Sequence, residues 1–276
     1  MQVEIERMDA STFVIGTMGY SYTDWRNGVF YPKGMPPRDF LAHYSQRFNG
    51  VEMDNTFYGI PRASSVQQWT SLTPDGFIFC PKTPRTITHE LRLNVAAIAQ
   101  MAEFLEVVRL FGTKLGPILV QFPPDFTLNE WESLAQFLAN LPSDLRFTVE
   151  FRHRSWYKRR TSELLQAHGV AWTSTDYVYM PAQVHATADF IYLRLLGRHG
   201  SYAQKVAEQV DSTPRLQWWW QEMQPHLPHM SAVYVFANND YAGYSPTTCE
   251  KFKRIISSNL PSDQFTKLGG TIQPRS

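Results

Sequence analysis

"TVEFRHRSWY", residues 148–157, opens like a buried strand and then carries more charge than a strand core needs. Side chains alternate between the two faces of a strand, so Glu150 and Arg152 share one face while Val149 and Phe151 share the other. The stretch therefore predicts an apolar face packed outward on helices and a second face that aims a carboxylate and a guanidinium at one interior. Arg152 lies one pleat nearer the strand end, with Glu150 deeper and within reach of another cation.

Reading outward, the same kind of segment recurs. Short runs rich in β-branched and aromatic residues stand at "FVIGTMG" (13–19), "GVEMDNTF" (50–57), "GFIFCPK" (76–82) and "PILVQFP" (117–123). They continue at "RFTVEFR" (146–152), "VAWTSTD" (170–176), "FIYLRLLG" (190–197) and "AVYVFANN" (232–239). Helical patterns lie between most of them. Phe40, Leu41, Tyr44 and Phe48 form one apolar stripe, and Val95, Ile98, Ala102, Leu105 and Val108 form another at three-to-four spacing. "TLNE" (127–130) has the form of a capping box, and "SPTT" (245–248) offers Ser245 as N-cap with Pro246 at the first helical position. In "LQWWWQEM" (216–223) successive helical residues are about 100° apart, so one of the three tryptophans must leave the core. Eight strands alternating with helices predict an α/β fold, a (β/α)8 TIM barrel, as a single domain over residues 1–276. A doubly wound sheet is the alternative with the same strand count.

Bulk composition narrows the setting. A net charge of +1 gives no general attraction for nucleic acid or membrane, and 43% hydrophobic content suits a sizeable core. The first eleven residues, "MQVEIERMDAS", are charged and lack the apolar stretch of a secretory signal. No run of 18 apolar residues predicts a membrane span, and only Cys80 and Cys249 are present, so no disulfide framework is indicated. A cytoplasmic protein is expected.

The strands tend to end in polar groups. Strand parity places Glu52, Lys82, Gln121, Glu150, Arg152, Asp176 and Arg194 inward, at the strand C-termini where barrel enzymes build their sites. Glu52, Glu150 and Asp176 are the candidate catalytic carboxylates, suited to proton transfer where burial separates their acidities. Lys82, Arg152 and Arg194 suit a phosphate or carboxylate, the guanidinium forks in two-point fashion. His89, Gln121, His153 and Asn239 join them as candidate substrate contacts, and Tyr20, Trp25, Tyr58 and Trp156 as aromatic surfaces for a sugar ring or nucleobase. The competing reading is a self-neutralising ionic layer that closes one end of the fold. No cofactor motif of the phosphate-loop, dinucleotide or zinc-protease kind occurs, and interleaved lysine and arginine oppose a divalent cation, so neither cofactor nor metal is expected.

These residues carry a resemblance. "GTMGYSYTDWRNGVFYP" (16–32), "VEMDNTFYGIP" (51–61), "KTPRTITHELRL" (82–93), "LVQFPP" (119–124), "EFRHRSW" (150–156) and "NDYAGYSP" (239–246) resemble the successive signature blocks of the YecE-like family, domain of unknown function 72, over about residues 13–256. The resemblance implies a TIM-barrel fold and a pocket at the strand C-termini, and it brings no established reaction. Three positions depart from the usual pattern: Asp54 stands where asparagine is common, Leu196-Gly197 replaces a frequent His-Gly, and Thr248-Cys249 replaces a common Asn-Ala.

The function expected is an enzyme acting on a small anionic substrate, such as a phosphorylated sugar or nucleotide. A nucleic-acid binding or processing protein and a non-catalytic ligand-binding module are the alternatives.

Overall fold

The computed structural model describes residues 12–260; the charged N-terminal stretch and the ends of the expected 1–276 domain lie outside them. In chain order the elements are β1 (Thr12–Thr17), α1 (Phe40–Tyr44), β2 (Gly50–Met53), α2 (Ala63–Ser71), β3 (Ile78–Pro81) and α3 (Val95–Val108). Next come β4 (Ile118–Gln121), α4 (Trp131–Ala139), β5 (Phe147–Glu150), α5 (Arg159–Ala167), β6 (Ala171–Trp172) and β7 (Ser174–Asp176). The order ends with β8 (Phe190–Leu195), α6 (Thr213–Met223), β9 (Ala232–Ala237) and α7 (Ser245–Asn259).

Every expected strand segment contains a strand, and every ladder among them is parallel. The ladders form three sheets rather than the one continuous closed sheet expected: a four-stranded sheet β1-β9-β8-β7, a pair β2-β3, and a three-stranded sheet β4-β5-β6. Isolated parallel bridges, Met18 to Glu52 and Lys82 to Leu119, stand between the sheets. The segment 170–176 breaks at Thr173, so β6 pairs with β5 while β7 pairs with β8.

The gap between β1 and β2 has a physical cause. Side chains occupy the positions of ladder hydrogen bonds. Ile15 N–H donates to Asn49 Oδ1 (2.9 Å), and Asn49 Nδ2 donates to Phe13 O (2.8 Å). Thr17 N–H donates to the Tyr44 hydroxyl (2.8 Å), which donates onward to Gly50 O (3.1 Å). A Cβ at Gly16 would lie 1.9 Å from Gly50 O, so only glycine lets the two strands come this close.

Alternation sorts the core into two layers. Val14, Met18, Cys80, Phe190, Tyr192, Tyr234 and Phe236 pack with one another on one face of the strands. Phe13, Ile15, Val149, Phe151 and the apolar helix faces form a larger cluster on the other. Val149 and Phe151 thus lie outward as the opening stretch predicts.

The helices follow sequence closely in places. Thr127 and Glu130 make the expected capping box. Trp219 and Trp220 are buried, and Trp218 is the half-exposed one, with the Arg215 guanidinium 4.2 Å from its ring centre. At α7 the expected cap is displaced: Ser245 is the first helical residue, and Asn239 Oδ1 accepts from its N–H (3.0 Å) and hydroxyl (2.8 Å). No helix forms between β7 and β8. The segment 177–189 lacks a three-to-four apolar stripe and folds back along β6 instead, where Thr187 Oγ1 accepts from Trp172 N (2.7 Å) and His185 stacks on the Trp172 ring (4.1 Å). Among the described residues no helix is long and apolar enough to cross a membrane.

Removing the Tyr44 hydroxyl would strand the Thr17 N–H in a buried place. Tyr44→Phe is expected to lower stability by about 1–3 kcal/mol in urea unfolding, and an unchanged midpoint would show that the β1–β2 joint does not depend on it.

Candidate functional site

One charged side chain from each sheet meets at the strand C-termini. Arg194 comes from β8, Glu52 from β2 and Glu150 from β5. Arg194 donates from Nε to Glu52 Oε2 (3.0 Å), from Nη2 to Glu52 Oε1 (2.6 Å) and from Nη1 to Glu150 Oε2 (2.5 Å). Tyr192, two residues earlier on the same face of β8, donates its hydroxyl to Glu52 Oε2 (2.8 Å). Arg152 Nε bonds Glu150 Oε1 from the other side. Both carboxylates are fully buried and Arg194 nearly so.

The two carboxylates share one guanidinium but not one electrostatic fate. Burial alone would raise Glu150, yet Arg152 and Arg194 outweigh it and hold the group at about 2. Burial wins at Glu52, whose pKa is raised against the pull of Arg194, with the Asp54 charge adding to the rise. Burial lowers Lys82, and Arg194 lowers it further. Titratable groups pushed in opposite directions at one place are the arrangement that acid–base catalysis uses.

Above the buried cluster lies a cleft of about 320 Å³. Lys82, Arg152 and Arg194 contribute its cations, Asp54 and Asp240 its carboxylates, and Phe57, Tyr58 and Tyr177 its aromatic surface. The Lys82 ammonium sits 3.9 Å from the centre of the Phe57 ring, and the Arg152 guanidinium 4.3 Å from that of Tyr177. Leu196, Gly197, His199 and Asn238 complete the lining. His199 Nδ1 lies 3.2 Å from Asp240 Oδ2; Lys205 Nζ lies 2.9 Å from Asp240 Oδ1, close enough for an ion pair but off the line of a hydrogen bond.

A family model described as "Protein of unknown function DUF72" matches residues 14–267. The chain belongs to that family. It is 31% identical over 147 residues to the UPF0759 protein YecE of Escherichia coli K12, covering 53% of this chain and 54% of YecE. It is 29% identical over 166 residues to the UPF0759 protein YunF of Bacillus subtilis, covering 56% of this chain and 57% of YunF. These matches span only about half the length of the curated relatives. The fold is similar to that of a DUF72 family protein from Thermotoga maritima, with a TM-score of 0.72 and 27% identity over 89% of this chain and 99% of that one. A DUF72 family protein from Enterococcus faecalis, 20% identical, gives the same TM-score over 92% of this chain and 100% of its own. The family carries no established reaction, so chemistry must come from the site.

Within this DUF72 chain the expected site residues separate into groups. Glu52, Glu150 and Arg194 form the buried cluster; Lys82, Arg152 and Tyr58 line the cleft, Tyr58 being 86% exposed at its rim. His89 lies behind Phe57 (5.1 Å between rings) with Nδ1 at 2.8 Å from Thr88 Oγ1, and burial with the nearby Lys82 charge lowers it to about 4. Gln121 is buried and donates to Phe122 O.

The others sit apart from the cleft lining. Asp176 accepts from Arg215 Nε (2.8 Å) and Nη2 (3.0 Å), Trp219 Nε1 (2.7 Å) and the Tyr241 hydroxyl (2.8 Å), which ties α6 to β7. The sequence parity assigned to it is one residue out of phase: Thr173 bonds Thr148 (2.7 Å), so 173 and 175 take the face of Glu150 and Asp176 takes the other. Asn239 caps α7 and accepts from Trp25 Nε1 (3.3 Å), while its neighbour Asn238 lines the cleft. His153 accepts from Ser155 N (3.1 Å) and so caps a short turn. Trp156 is core, its Nε1 bonded to Phe126 O (2.8 Å) and its ring stacked on Phe151 (4.6 Å). Trp25 is buried, and Tyr20 packs against the outer core. Asp54 and Asn238 were within reach of sequence reading, since each follows an inward residue by two. His199 and Asp240 lie in loops and gave no such signal.

Among the described residues no three His, Cys, Asp or Glu side chains come together where they could hold a metal ion.

Because Glu150 lies below its ordinary value in the folded chain, it contributes stability above pH 4.5 and loses it as pH falls toward 2. Glu150→Gln is expected to cost about 3–5 kcal/mol at neutral pH, by leaving Arg152 and Arg194 short of a charge, and to flatten that acid limb. Urea midpoints measured across this pH range check both; wild-type stability for the variant would contradict the pairing.

Proposed function

We propose that this DUF72 protein is an enzyme acting on a small anionic substrate bound in the cleft at the strand C-termini. The reading rests on one observation. Arg152 lines the cleft, and among the described residues only its Nε finds an acceptor while its two terminal amino groups have none. A guanidinium with a free edge suits a phosphate or carboxylate in two-point fashion. Arg194, by contrast, is consumed by Glu52 and Glu150 and acts as the support that keeps Arg152 and the carboxylates in place. Proton exchange falls to Glu52, raised by burial, with Asp54 two residues on at the cleft surface. A phosphorylated sugar or nucleotide fits the pairing of a free guanidinium with the faces of Phe57, Tyr58 and Tyr177.

The same reading includes closure of the three sheets as one (β/α)8 barrel. The bridges Met18–Glu52 and Lys82–Leu119, the unbroken chain from β6 to β7, and the separate inner cluster of side chains support it. Two buried cysteines without a disulfide are in keeping with a cytoplasmic setting.

Arg152→Met tests the site while leaving Glu150 paired with Arg194. Inorganic phosphate and a panel of sugar phosphates are expected to raise the wild-type melting temperature. In the variant affinity should fall about 10–100-fold, since a hydrogen bond to a charged group contributes roughly 1.5–3 kcal/mol. A panel that leaves the wild-type melting temperature unmoved would sink the proposal.

A further inference from the structure

Two lysines of this chain are equally buried, at 8% exposure, and they are treated differently by their surroundings. Lys114 Nζ donates to Thr70 O (2.8 Å), Thr73 O (2.7 Å) and Thr73 Oγ1 (3.2 Å), which satisfies all three of its protons. Lys82 Nζ makes no hydrogen bond and no ion pair within 4 Å among the described residues; its contact is the face of Phe57. Yet its backbone is pinned. Its N–H donates to Thr56 Oγ1 (3.0 Å), and Thr56 Oγ1 donates to its carbonyl (2.6 Å). The fold thus places this side chain firmly in the cleft lining and leaves its amine unpaired.

We propose that Lys82 is a nucleophilic amine that forms a Schiff base with a small carbonyl compound bearing an anionic group. The inference rests on the anion-binding reading of Arg152 for the second half of that description. A buried ammonium without an acceptor is costly, whereas the neutral amine is not, so burial and the neighbouring Arg194 both favour the reactive form. An amine so placed, desolvated and beside another cation, is the kind of lysine that attacks carbonyl carbon.

Asp54 supplies the proton traffic. It lines the same cleft, its carboxylate has no hydrogen-bond partner among the described residues, and it is the carboxylate whose charge acts most on Lys82. It first takes one proton from the ammonium. The freed lone pair of Nζ then bonds the carbonyl carbon as the carbon–oxygen π pair moves to oxygen. A proton passes from nitrogen to that oxygen, giving a neutral carbinolamine. Asp54 returns its proton to the hydroxyl, which leaves as water while the nitrogen lone pair forms the carbon–nitrogen double bond. Ammonium and carbonyl have become iminium and water, the carboxylate is regenerated, and no oxidant is required.

The test uses the full chain with pyruvate and sodium borohydride, followed by intact mass and peptide mapping. Borohydride reduces the iminium to a stable secondary amine, so the expected gain is the mass of pyruvate less one oxygen atom, located on Lys82. Labelling there should run roughly tenfold or more ahead of the exposed Lys33 and Lys158, as a desolvated, pre-positioned nucleophile would give. Inorganic phosphate should slow it, and Lys82→Arg should abolish it; should that variant not fold, the peptide map of the wild type decides. Absence of label on Lys82, or label no faster than at the surface lysines, overturns the proposal. The two readings fail separately. If Arg152 does not bind anions, the neutral ketone hydroxyacetone labels Lys82 as well as pyruvate does and phosphate gives no protection. If Lys82 is not the nucleophile, phosphate still raises the melting temperature and no adduct forms.

Discussion

The structure turns on a single guanidinium held between two buried carboxylates. Arg194 reaches Glu52 through two nitrogens and Glu150 through a third, and the three side chains belong to three different sheets. A buried charge is tolerable only when its partners are well placed and its protons are used. Arginine meets that demand because its fork is planar and stays charged, and lysine in its place would satisfy one carboxylate at the expense of the other. The cluster therefore fixes how far apart the sheets stand at this end, where backbone ladders alone do not join them.

That constraint shapes what the cleft has left to offer. With Arg194 committed, the polar capacity at the surface comes from side chains one step further out: Arg152, braced against Glu150, and Lys82, pinned through its backbone. The aromatic rings do a second task here. Phe57 and Tyr177 lie against the two cations and hold them without consuming their donors. A site built this way keeps positive charge available in a partly buried place, a condition that open solvent-exposed arginines do not provide.

Much of this was legible in the chain and some was not, for identifiable reasons. The alternation in 148–157 correctly separated Glu150 from Val149 and Phe151, because period two is a property of the backbone. The same logic, followed through, places Asp176 on the outer face: alternation runs from Ala171 through Thr173 and Thr175 on the Glu150 face, with Trp172 and Asp176 on the other, so the inward reading of Asp176 was one residue out of step. The residue types of the cluster were apparent, but their partners were not: sequence does not reveal that Arg194 is used up while Arg152 keeps a free edge. Aromatic residues were the least legible. Trp25 and Trp156 resemble Tyr58 in the chain, and only long-range packing puts the first two in the core and the last at a rim. The side-chain joint between β1 and β2 had no sequence signature at all, because Tyr44 and Asn49 look like ordinary members of a helix and a turn.

That joint gives the molecule a directional weakness. A backbone ladder shares a load among several bonds strained together, whereas the Asn49 carboxamide and the Tyr44 hydroxyl carry theirs singly. Under a pulling force the side-chain part of the edge between β1 and β2 would yield bond by bond rather than as a ladder. The first and last described strands, β1 and β9, lie on the same side of it, as neighbours in one ladder. Tension applied between β1 and β9 therefore runs along a paired ladder and bypasses the seam, while tension applied between β1 and β2 meets it directly.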